Sequence, residues 1–486
     1  MESCVIVWFR NDLRVHDHRP LLRASAQGLP VLAVYVFDQT LYRKLPYGFP
    51  KTGRHRAQFI RESVADLRRN LIQLGVPLLV RHGAPEEVFT SISKSFNIQQ
   101  VFFHEEIGSE EISVEREVRE RLPHTTFTVD HGHNLYPPKD LPFNTSELPD
   151  TFSQFRKVLE KSGVPGLTEI SIPASVRGVN LPSDFPEGGI PTMRELGLGE
   201  LDRPPRYPGG SSKAKERLLH YIFSADRLRV YKKTRNGMLR EDDSSKFSPY
   251  LANGCLSPKV VLDQIRTYEK KYGKNESTYM LYFELLWRDY FHLVHRKYGD
   301  QIFHAAGIKK ARIPWHDDQE LLVRWMDGTT GYPLVDAAMR ELKKTGFMSN
   351  RARQNAASFF TKNLGLDWRI GAAWFESQLV DYDVASNYGN WLYIAGVGND
   401  AVPFRAFNVE KQSLDYDPDG SYLRHWVPEL RELPAPWIHQ PREMGMIEQE
   451  QYGVILGEDY PLPVVDLYES MKKRKQEFAQ AQKNSR

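Results

Sequence analysis

The first 130 residues alternate short apolar runs with amphipathic segments, and this alternation constrains the fold more than any other feature of the sequence. Between Gly53 and Gly75 the apolar residues recur every three or four positions, which predicts a helix that ends at Gly75. Further helical segments lie near residues 85–95 and 110–122. The apolar runs predict five buried strands: Val5–Trp8, Val31–Phe37, Pro77–Val80, Val101–Phe103 and Thr126–Val129. Apolar strands separated by helices predict a parallel, Rossmann-like α/β sheet covered on both faces.

Proline and tryptophan divide the rest of the chain. Residues 137–208 hold 12 of the 31 prolines, which is typical of a long connector, and Thr151–Lys161 predicts one helix within it. From Ser211 onward the sequence is helical and aromatic, and eight of the nine tryptophans follow residue 280. We therefore predict an α/β domain over 1–135, a proline-rich linker over 136–210, and an all-α domain over 211–486. The all-α domain would end in a short, basic, frayed tail after Met471.

Composition excludes several classes of protein. Two cysteines among 486 residues cannot form a disulfide framework and suggest free thiols in a reducing compartment. No apolar run approaches the roughly 20 residues that span a bilayer, and the first residues lack the features of a signal peptide. We therefore expect a cytoplasmic protein without a metal site. Because the net charge is only +3, an anionic partner would bind local basic clusters rather than the whole surface.

The segment from Ser244 to Leu251 has the features of a helix start. Serine is a favoured N-cap, and Pro249 suits the first helical turn. Free backbone N–H groups at such a terminus attract phosphate, so the segment is either an ordinary capped helix or a phosphate site. The run from Arg227 to Arg240 holds six basic residues and no acid. It is either a solvated helix face or a contact with phosphates.

The stretch from Ser277 to Lys297 is apolar on nearly every face and predicts a buried central helix. Glu284, Trp287 and Arg288 fall at positions i, i+3 and i+4, so they share one side of it. A carboxylate and a guanidinium in such a helix are unfavourable unless they are paired or functional. They form either an internal ion pair or the polar floor of a pocket in which Trp287 offers a flat face to a planar ligand.

Polar residues recur on one face of a later predicted helix and in the segment that follows it. Amides, carboxylates and one fixed cation are what the edge of a ring such as isoalloxazine requires. Asp381 could neutralise a guanidinium, and a scattered buried polar network is the alternative to a ligand site. The residues of this group are Asn350, Arg353, Gln354, Asp381, Asp383 and Asn387, followed by Trp391.

Five stretches resemble the cryptochrome/photolyase superfamily over essentially the whole chain. They are VIVWFRNDLRVHD at 5–17, SPYLANGCLSP at 248–258, ELLWRDY at 284–290, GTTGYPLVDAAMRELKKTGFMSNRAR at 328–353 and DYDVASNYGNW at 381–391. The last three are highly specific. Their occurrence in this order favours the functional interpretation of each segment over its structural alternative.

The resemblance implies an α/β antenna domain, a long linker and a helical domain that holds FAD. The residues matched to the FAD diphosphate and ribose are Tyr231, Ser244, Ser245 and Ser248. Those matched to the pocket wall are Glu284 and Arg288, and those matched to the isoalloxazine and adenine-ribose portions are Asn350, Arg353, Asp381 and Asp383. Asn387 would lie near flavin N5, where it would influence the protonation of the cofactor.

The same resemblance implies electron transfer through indoles. Trp391, Trp368 and Trp315 match the family's relay triad. Indole is easily oxidised, so closely placed indoles can pass a hole from the flavin toward the surface.

The family's repair reaction is driven by light. Reduced FAD that absorbs blue light gives an electron to a cyclobutane pyrimidine dimer that has been flipped out of DNA. Glu284 would hydrogen-bond the dimer, Trp287 would stack on it, and Asn350 would contact both dimer and flavin.

Two departures from duplex-repairing photolyases resemble DASH cryptochromes. Tyr393 stands where those photolyases have a second lesion-stacking tryptophan, and Gln354 stands where they have methionine. A smaller, more polar pocket gains less from stacking and offsets the cost of flipping a duplex base poorly. The resemblance therefore implies a preference for dimers in single-stranded DNA.

DASH proteins usually carry 5,10-methenyltetrahydrofolate as an antenna. The acidic stretch from His104 to Glu111 lies where the family binds it, and Glu106 is the predicted antenna residue. The Asn-Glu pair of folate-binding photolyases is not reproduced, and a solvated acidic loop is the alternative interpretation.

Three functions remain open at this point. The first is a photolyase for dimers in single-stranded DNA, and the second is a DNA-binding photoreceptor or transcriptional regulator with little or no repair activity. The retained Glu284, Trp287 and Asn350 favour the first. The changes at Tyr393 and Gln354, together with the resemblance to cryptochromes, favour the second. The third is a light-insensitive flavin oxidoreductase, which would turn over in the dark. We expect a monomer or weak oligomer.

Overall fold

A computed structural model of the chain describes residues 1–163, 170–400, 402 and 404–484. The strands are β1 (Glu2–Phe9), β2 (Val31–Asp38), β3 (Leu78–Gly83), β4 (Phe96–His104) and β5 (Thr126–Asp130). The first helices are α1 (Arg19–Ser25), α2 (Arg54–Leu74), α3 (Pro85–Ser95), α4 (Ser109–Arg121), α5 (Phe152–Ser162), α6 (Ser211–Leu219), α7 (Tyr231–Thr234), α8 (Ser248–Ala252), α9 (Pro258–Tyr272) and α10 (Glu276–Tyr298). The later helices are α11 (Gln319–Asp327), α12 (Pro333–Thr345), α13 (Asn350–Lys362), α14 (Trp368–Gln378), α15 (Val384–Ala395), α16 (Val409–Tyr416), α17 (Ser421–Trp426), α18 (Met446–Tyr452) and α19 (Leu467–Asn484).

The five strands form one parallel sheet in the order β3-β2-β1-β4-β5, which confirms the predicted α/β class. The predicted helix between Gly53 and Gly75 is α2, and Gly75 ends it in the left-handed conformation at φ 84°. Helix α1 was not predicted, because its seven residues are too few to show a helical period. The imidazole of His18, an unusual N-cap, accepts a hydrogen bond from the Leu21 amide at its start.

The proline-rich segment runs beside the β3 edge of the sheet. The Val80 amide of β3 donates to the Glu187 carbonyl at 2.8 Å, and the Val31 amide of β2 donates to the Arg177 carbonyl at 2.8 Å. An uncovered edge strand would expose its unpaired N–H groups. The connector therefore satisfies part of the backbone that the sheet leaves unpaired, and it contains the predicted helix as α5.

The chain divides into two compact units. The first comprises residues 1–229, 246–299 and 380–385, and the second comprises 230–245, 300–379 and 386–486. In the first unit the fully buried Arg14, which follows β1, donates to the Gly254 carbonyl at 2.9 Å, which ties the α/β part to the turn before α9. The boundaries predicted from the sequence at residues 135 and 210 stay a prediction.

Helix α10 also lies in the first unit and anchors the start of the connector. The carboxylate of Asp289, which is 0% exposed, accepts the backbone N–H groups of Leu135 at 3.0 Å and Tyr136 at 2.8 Å. The helix is less buried than its apolar sequence predicts, because Glu284 and Trp287 are only half-buried. The side of α10 that carries Glu284 and Trp287 is therefore partly accessible to a ligand.

The end of the chain corrects one expectation. The basic segment after Met471 was expected to fray, but it continues α19 through Asn484. Arg474, Phe478 and Ala481 are buried at spacings of four and three residues, so one packed face holds the helix in place. Within the part of the chain that the structure describes, no helix is long and apolar enough to cross a membrane.

Candidate functional site

A pocket that is partly open to solvent lies at the carboxyl end of the sheet in the first unit. Ligand sites of parallel α/β sheets form at this edge. Glu105 follows β4 and accepts hydrogen bonds from His131 at 2.6 Å and Arg296 of α10 at 2.5 Å. Burial alone would raise the pKa of Glu105, but these two partners lower it to about 2. The pocket wall is therefore a fixed, charged network.

Glu106 and Glu111 line the same pocket, but their pKa values are shifted in opposite directions. Burial opposes ionisation of Glu106, yet His133, at 3.5 Å, and Arg10 together hold its pKa below the usual value. Burial, followed by repulsion from Glu106, raises the pKa of Glu111 to about 7. The pocket therefore offers a carboxylate that accepts hydrogen bonds and, near neutral pH, a carboxyl group that can donate one.

A buried carboxylate and two imidazoles lie behind this pocket. Asp12 Oδ2 is 2.8 Å from His18 Nε2 and 2.7 Å from His104 Nδ1. Three such groups at these distances resemble a metal site. However, His18 Nδ1 accepts from the Leu21 amide, so its Nε2 carries the proton that Asp12 accepts. The hydrogen bonds therefore account for the arrangement without a metal ion.

We expect this network to make part of the stability dependent on pH. Burial, the first cause, holds the pKa of His104 well below its usual 6.5, so the unfolded chain binds a proton that the folded chain rejects. Below pH 6.5 the folded state therefore loses up to about 1.4 kcal/mol per pH unit from this group. His104→Asn retains a donor toward Asp12 without a titrating ring. The free energy of unfolding of the wild type relative to His104→Asn should fall from pH 7 to pH 5 in denaturant titrations.

His124, which is exposed, provides the matched control. The fall measured relative to His104→Asn should exceed any change measured relative to His124→Asn over the same pH range. A constant difference for His104→Asn would show that the network does not set this pH dependence.

Several predicted cofactor residues lie together in the first unit. The Ser248 hydroxyl donates to Asp381 Oδ2 at 2.7 Å. Asp383 accepts from His292 Nε2 at 2.7 Å and lies 3.7 Å from the Arg288 guanidinium. Asp383 is therefore a carboxylate set against the guanidinium of Arg288, while the pairing of Asp381 with a guanidinium stays a prediction.

The predicted helix start at Ser244–Leu251 is partly corrected. Helix α8 begins at Ser248, with Pro249 in its first turn, but Phe247 is the N-cap and no side chain caps the helix. The five-residue helix is too short for a strong terminal dipole. Lys246, just before it, has φ 57°, a left-handed conformation that non-glycine residues rarely adopt and that is often retained at functional sites.

Trp287 of α10 is oriented by an aromatic stack. The ring of Phe152, the first residue of α5, lies 3.7 Å from the Trp287 ring with an interplanar angle of 10°. Trp287 remains half-buried. One face of the indole is therefore covered and its rotation restricted, which the sequence did not predict because Phe152 is 135 positions away along the chain.

Helix α13 of the second unit carries the next predicted group. Asn350 is exposed while Arg353 and Gln354 are half-buried, so the predicted shared face differs from the buried core face. Ser349 caps the helix by accepting the Ala352 amide at 3.2 Å. Arg353 Nε donates to the Met348 carbonyl at 2.9 Å, which fixes its guanidinium.

Four further predicted residues lie in the second unit. Tyr231 is buried at the start of α7, and Ser244 and Ser245 are half-buried. The amide nitrogen of Asn387 donates to the Ala372 carbonyl of α14 at 3.0 Å, which orients that side chain.

Tyr393, two residues after Trp391, belongs to a polar cluster. Asp400 accepts from Arg405 Nε at 3.1 Å, and the Arg405 guanidinium lies 6.0 Å from the Tyr393 ring. Burial, followed by the charge of Asp400, raises the pKa of the Tyr393 phenol. The position is therefore both smaller and more polar than an indole would make it.

The three predicted relay tryptophans lie in the second unit. Trp315 Nε1 and Trp368 Nε1 donate to the same carbonyl oxygen, that of Ala305, at 3.2 and 3.1 Å. The two indole nitrogens are therefore separated by less than the sum of those distances. Trp368 is 0% and Trp391 2% exposed, whereas Trp315 is half-buried. The series thus runs from the interior toward solvent, as a relay requires.

Trp391 contacts α14 one turn beyond Trp368. A Cβ atom at Gly371 would lie 2.3 Å from the Trp391 ring, so only glycine allows this approach. Trp391 also packs on Phe375 with ring centroids 5.0 Å apart. Since positions 368 and 371 share one helix face, Gly371 sets how close the two indoles come.

Gly371→Ala should therefore displace Trp391 and lower the free energy of unfolding by about 1–3 kcal/mol, because the ring cannot give way without repacking. Denaturant unfolding would measure the change. In the double variant with Trp391→Phe the smaller ring should relieve part of the loss, giving a coupling energy between the two sites. Additive effects would show that the methyl group does not meet the indole.

Several buried polar atoms of this unit, as far as the structure describes it, lack a hydrogen-bond partner, and two of them belong to predicted site residues. Among the described residues, Gln354 Oε1 and Trp391 Nε1 are buried and have no hydrogen-bond partner. Leaving such atoms unpaired is unfavourable, so each suggests a ligand atom or a water at that place. Gln354 belongs to the polar group predicted for a ring ligand, and its amide oxygen can accept a hydrogen bond from such a ligand, whereas Trp391 belongs to the predicted relay.

The comparisons with known proteins agree with this arrangement. A family model described as the FAD binding domain of DNA photolyase matches residues 280–480, and one described as DNA photolyase matches residues 5–173. A cryptochrome DASH of Gloeobacter violaceus is 51% identical over 472 residues, which cover 96% of this chain and 94% of that protein. The solved structure of a Synechocystis sp. cryptochrome has a TM-score of 0.94 at 46% identity and covers 98% of this chain and 99% of its own. A bacterial class III photolyase from Agrobacterium tumefaciens has a TM-score of 0.85 at 29% identity, covering 99% of this chain and 98% of its own.

A parallel sheet combined with a helical FAD-binding domain defines the photolyase fold. This chain belongs to the photolyase and cryptochrome family and, within it, to the DASH cryptochromes.

Proposed function

We propose that the protein binds FAD and uses blue light to transfer an electron to cyclobutane pyrimidine dimers, preferentially in single-stranded DNA. The observation that carries this proposal is the half-buried Trp287, whose plane is fixed by Phe152 at 3.7 Å. A flat, preoriented indole suits stacking on an unpaired base. It shares its helix face with Glu284, a carboxyl group suited to hydrogen-bond a pyrimidine edge.

The candidate FAD ligands are those predicted from the sequence. In the first unit they are Ser248, Glu284, Arg288, Asp381 and Asp383, and in the second unit Tyr231, Ser244, Ser245, Asn350, Arg353 and Asn387. Bound, reduced FAD supplies the light-excited electron donor of the reaction. The chain's own residues bind and orient the two partners, and they exclude water from the transfer path.

The polar character of two positions supports the preference for unpaired strands. Tyr393 lies beside Arg405, and Gln354 has a buried, unsatisfied carbonyl oxygen. Such a pocket gains hydrogen bonds but little stacking, so it offsets base flipping out of a duplex poorly. A strand whose bases are already unpaired avoids that cost.

The indole series would restore the reduced cofactor. Trp391 is buried, Trp368 is buried, and Trp315 reaches solvent, with the last two joined through the Ala305 carbonyl. Oxidised in this order, the three rings would carry a hole outward. An external reductant would then refill Trp315.

We also propose that the pocket at the carboxyl end of the sheet holds 5,10-methenyltetrahydrofolate as an antenna. Glu106 would accept from the amino and ring N–H groups of the pterin, and Glu111 would donate to a neighbouring acceptor. Glu106→Gln should remove a near-ultraviolet band from the absorption spectrum of the purified protein while its flavin bands persist. Loss of neither band would contradict this assignment of Glu106.

A second function, a DNA-binding photoreceptor or regulator without repair, is favoured by the same Tyr393 and Gln354. A light-dependent repair assay on dimer-containing single- and double-stranded oligonucleotides separates the two. We expect repair of the single strand, and a loss of at least about tenfold, or roughly 1.4 kcal/mol in barrier, in Glu284→Gln. Glu276→Gln, an exposed change on the same helix, is the control. Repair of neither substrate by the FAD-loaded wild type would favour the receptor.

A further inference from the structure

Arg474 of α19 lies over the face of Trp315, with its guanidinium carbon 4.7 Å from the ring centroid. Its side chain is 3% exposed. It donates to the Pro314 carbonyl at 2.5 Å, to the Thr361 carbonyl at 3.2 Å and to Glu477 at 2.6 Å. These acceptors belong to three separate segments of the second unit. The guanidinium is therefore fixed in position and almost completely shielded from solvent.

Lys362, a second basic residue near Arg474, contributes little positive charge at Trp315. Lys362 is fully buried, donates to the Ala395 carbonyl at 2.8 Å and lies 3.8 Å from the Phe478 ring. Burial, followed by the charge of Arg474, holds the pKa of Lys362 well below its usual range. Arginine stays protonated under such conditions. Arg474 is therefore the positive charge that acts on Trp315, and Glu477 is its only close carboxylate partner among the described residues.

A fixed cation interacts differently with the neutral and the oxidised form of an indole. It is attracted by the electron-rich face of the neutral ring, but it repels the positive charge of the oxidised ring. Loss of the indole proton removes that repulsion. Trp315 is half-buried, so water can reach it, whereas Trp368 is 0% exposed although it shares the same carbonyl acceptor. Of the three predicted relay tryptophans, Trp315 is the one that both contacts Arg474 and is accessible to solvent.

We propose that Arg474 is a positioning residue that drives proton loss from oxidised Trp315 and so keeps the hole at the exit of the relay. This inference rests on the proposed relay. Trp315 gives one electron to oxidised Trp368 and becomes a radical cation, whose Nε1 proton leaves its hydrogen bond to the Ala305 carbonyl and passes to water. The neutral radical is later reduced by an electron and a proton from an external thiol.

Time-resolved absorption of the FAD-loaded protein after a light flash separates the cationic from the neutral tryptophan radical. Arg474→Met, which removes the charge but keeps the bulk, should slow the conversion about tenfold, equivalent to roughly 1.4 kcal/mol in barrier, because the lost repulsion no longer favours release of the proton. Arg474→Lys should restore most of the rate. Glu477→Gln removes the counter-charge and should accelerate it. Lys472→Met, the same loss of charge on an exposed part of α19, should change nothing.

A second measurement needs neither light nor flavin. Azide radicals from pulse radiolysis oxidise accessible indoles of the full chain, and subtraction of Trp315→Phe isolates the signal of Trp315. The same order of rates should hold, with Arg474→Met slowest and Glu477→Gln fastest. A merely structural role of Arg474 would lower thermal stability without producing opposite effects in these two variants.

The outcomes for the relay and for Arg474 are distinguishable. A Trp315 radical seen with azide but not after a flash would overturn the relay, while the order of the azide rates would still decide the role of Arg474. A Trp315 radical with equal conversion rates in all variants overturns the inference and leaves the relay intact. Should Arg474→Met fail to fold, Glu477→Gln decides alone, and an unchanged rate in that variant overturns the proposal.

Discussion

Replacing Trp391 by phenylalanine should lower the rate of light-driven FAD reduction about a hundredfold, equivalent to roughly 2.7 kcal/mol in barrier. Phenylalanine keeps most of the packing against Phe375 and Gly371, but it is far harder to oxidise than indole. The first step of the relay would therefore be lost while the fold is retained. Flavin absorption under constant blue light with an added thiol measures the rate.

Trp426→Phe is the matched control, since Trp426 is a buried indole of the same unit that packs on His425 in α17. It should reduce FAD at the rate of the wild type. A normal rate in Trp391→Phe would remove Trp391 from the path of the electron, whatever the outer two indoles do.

The largest loss of stability is expected from Asp289→Ala. Asp289 is fully buried, and its carboxylate accepts the Leu135 and Tyr136 amides, which are themselves buried. Alanine would leave two buried N–H groups without acceptors, at about 1–3 kcal/mol each. We therefore expect the free energy of unfolding to fall by about 2–5 kcal/mol in denaturant titrations.

Two further variants locate the source of this loss. Asp289→Asn keeps one acceptor oxygen, so it should lose less than alanine. Asp263→Ala on α9 removes an exposed carboxylate and should change stability by less than about 0.5 kcal/mol. Equal effects of Asp289→Ala and Asp263→Ala would mean that the connector is not held by this carboxylate. Limited proteolysis of the 136–150 segment would show the same detachment directly.

The sheet could be predicted from the sequence because each strand and helix produces a local pattern of apolar residues. Apolar runs such as Val31–Phe37 and the repeat that forms α2 need no distant information to be recognised. Helix α1 was missed because a seven-residue helix capped by His18 shows neither a period nor a usual cap. The frayed tail was predicted wrongly because the charges of α19 hide the spacing of Arg474 and Phe478.

The candidate site could be predicted less completely. Single residues such as Arg288 and Asp383 were found through their motifs, but their pairing at 3.7 Å was not, because it joins positions 95 apart in the sequence. The buried network of Asp12, His18 and His104 was likewise missed, since only the parallel sheet brings the ends of β1 and β4 together. Long-range contacts of this kind leave no local pattern.

The Ala305 carbonyl, which accepts from both outer indoles, has a consequence for how evenly electrons pass between them. Because both rings are hydrogen-bonded to the same backbone atom, they move together when the backbone at Ala305 moves. The distance over which an electron must tunnel between them therefore varies little. The distance between these two rings should fluctuate less than that of a pair anchored on separate elements.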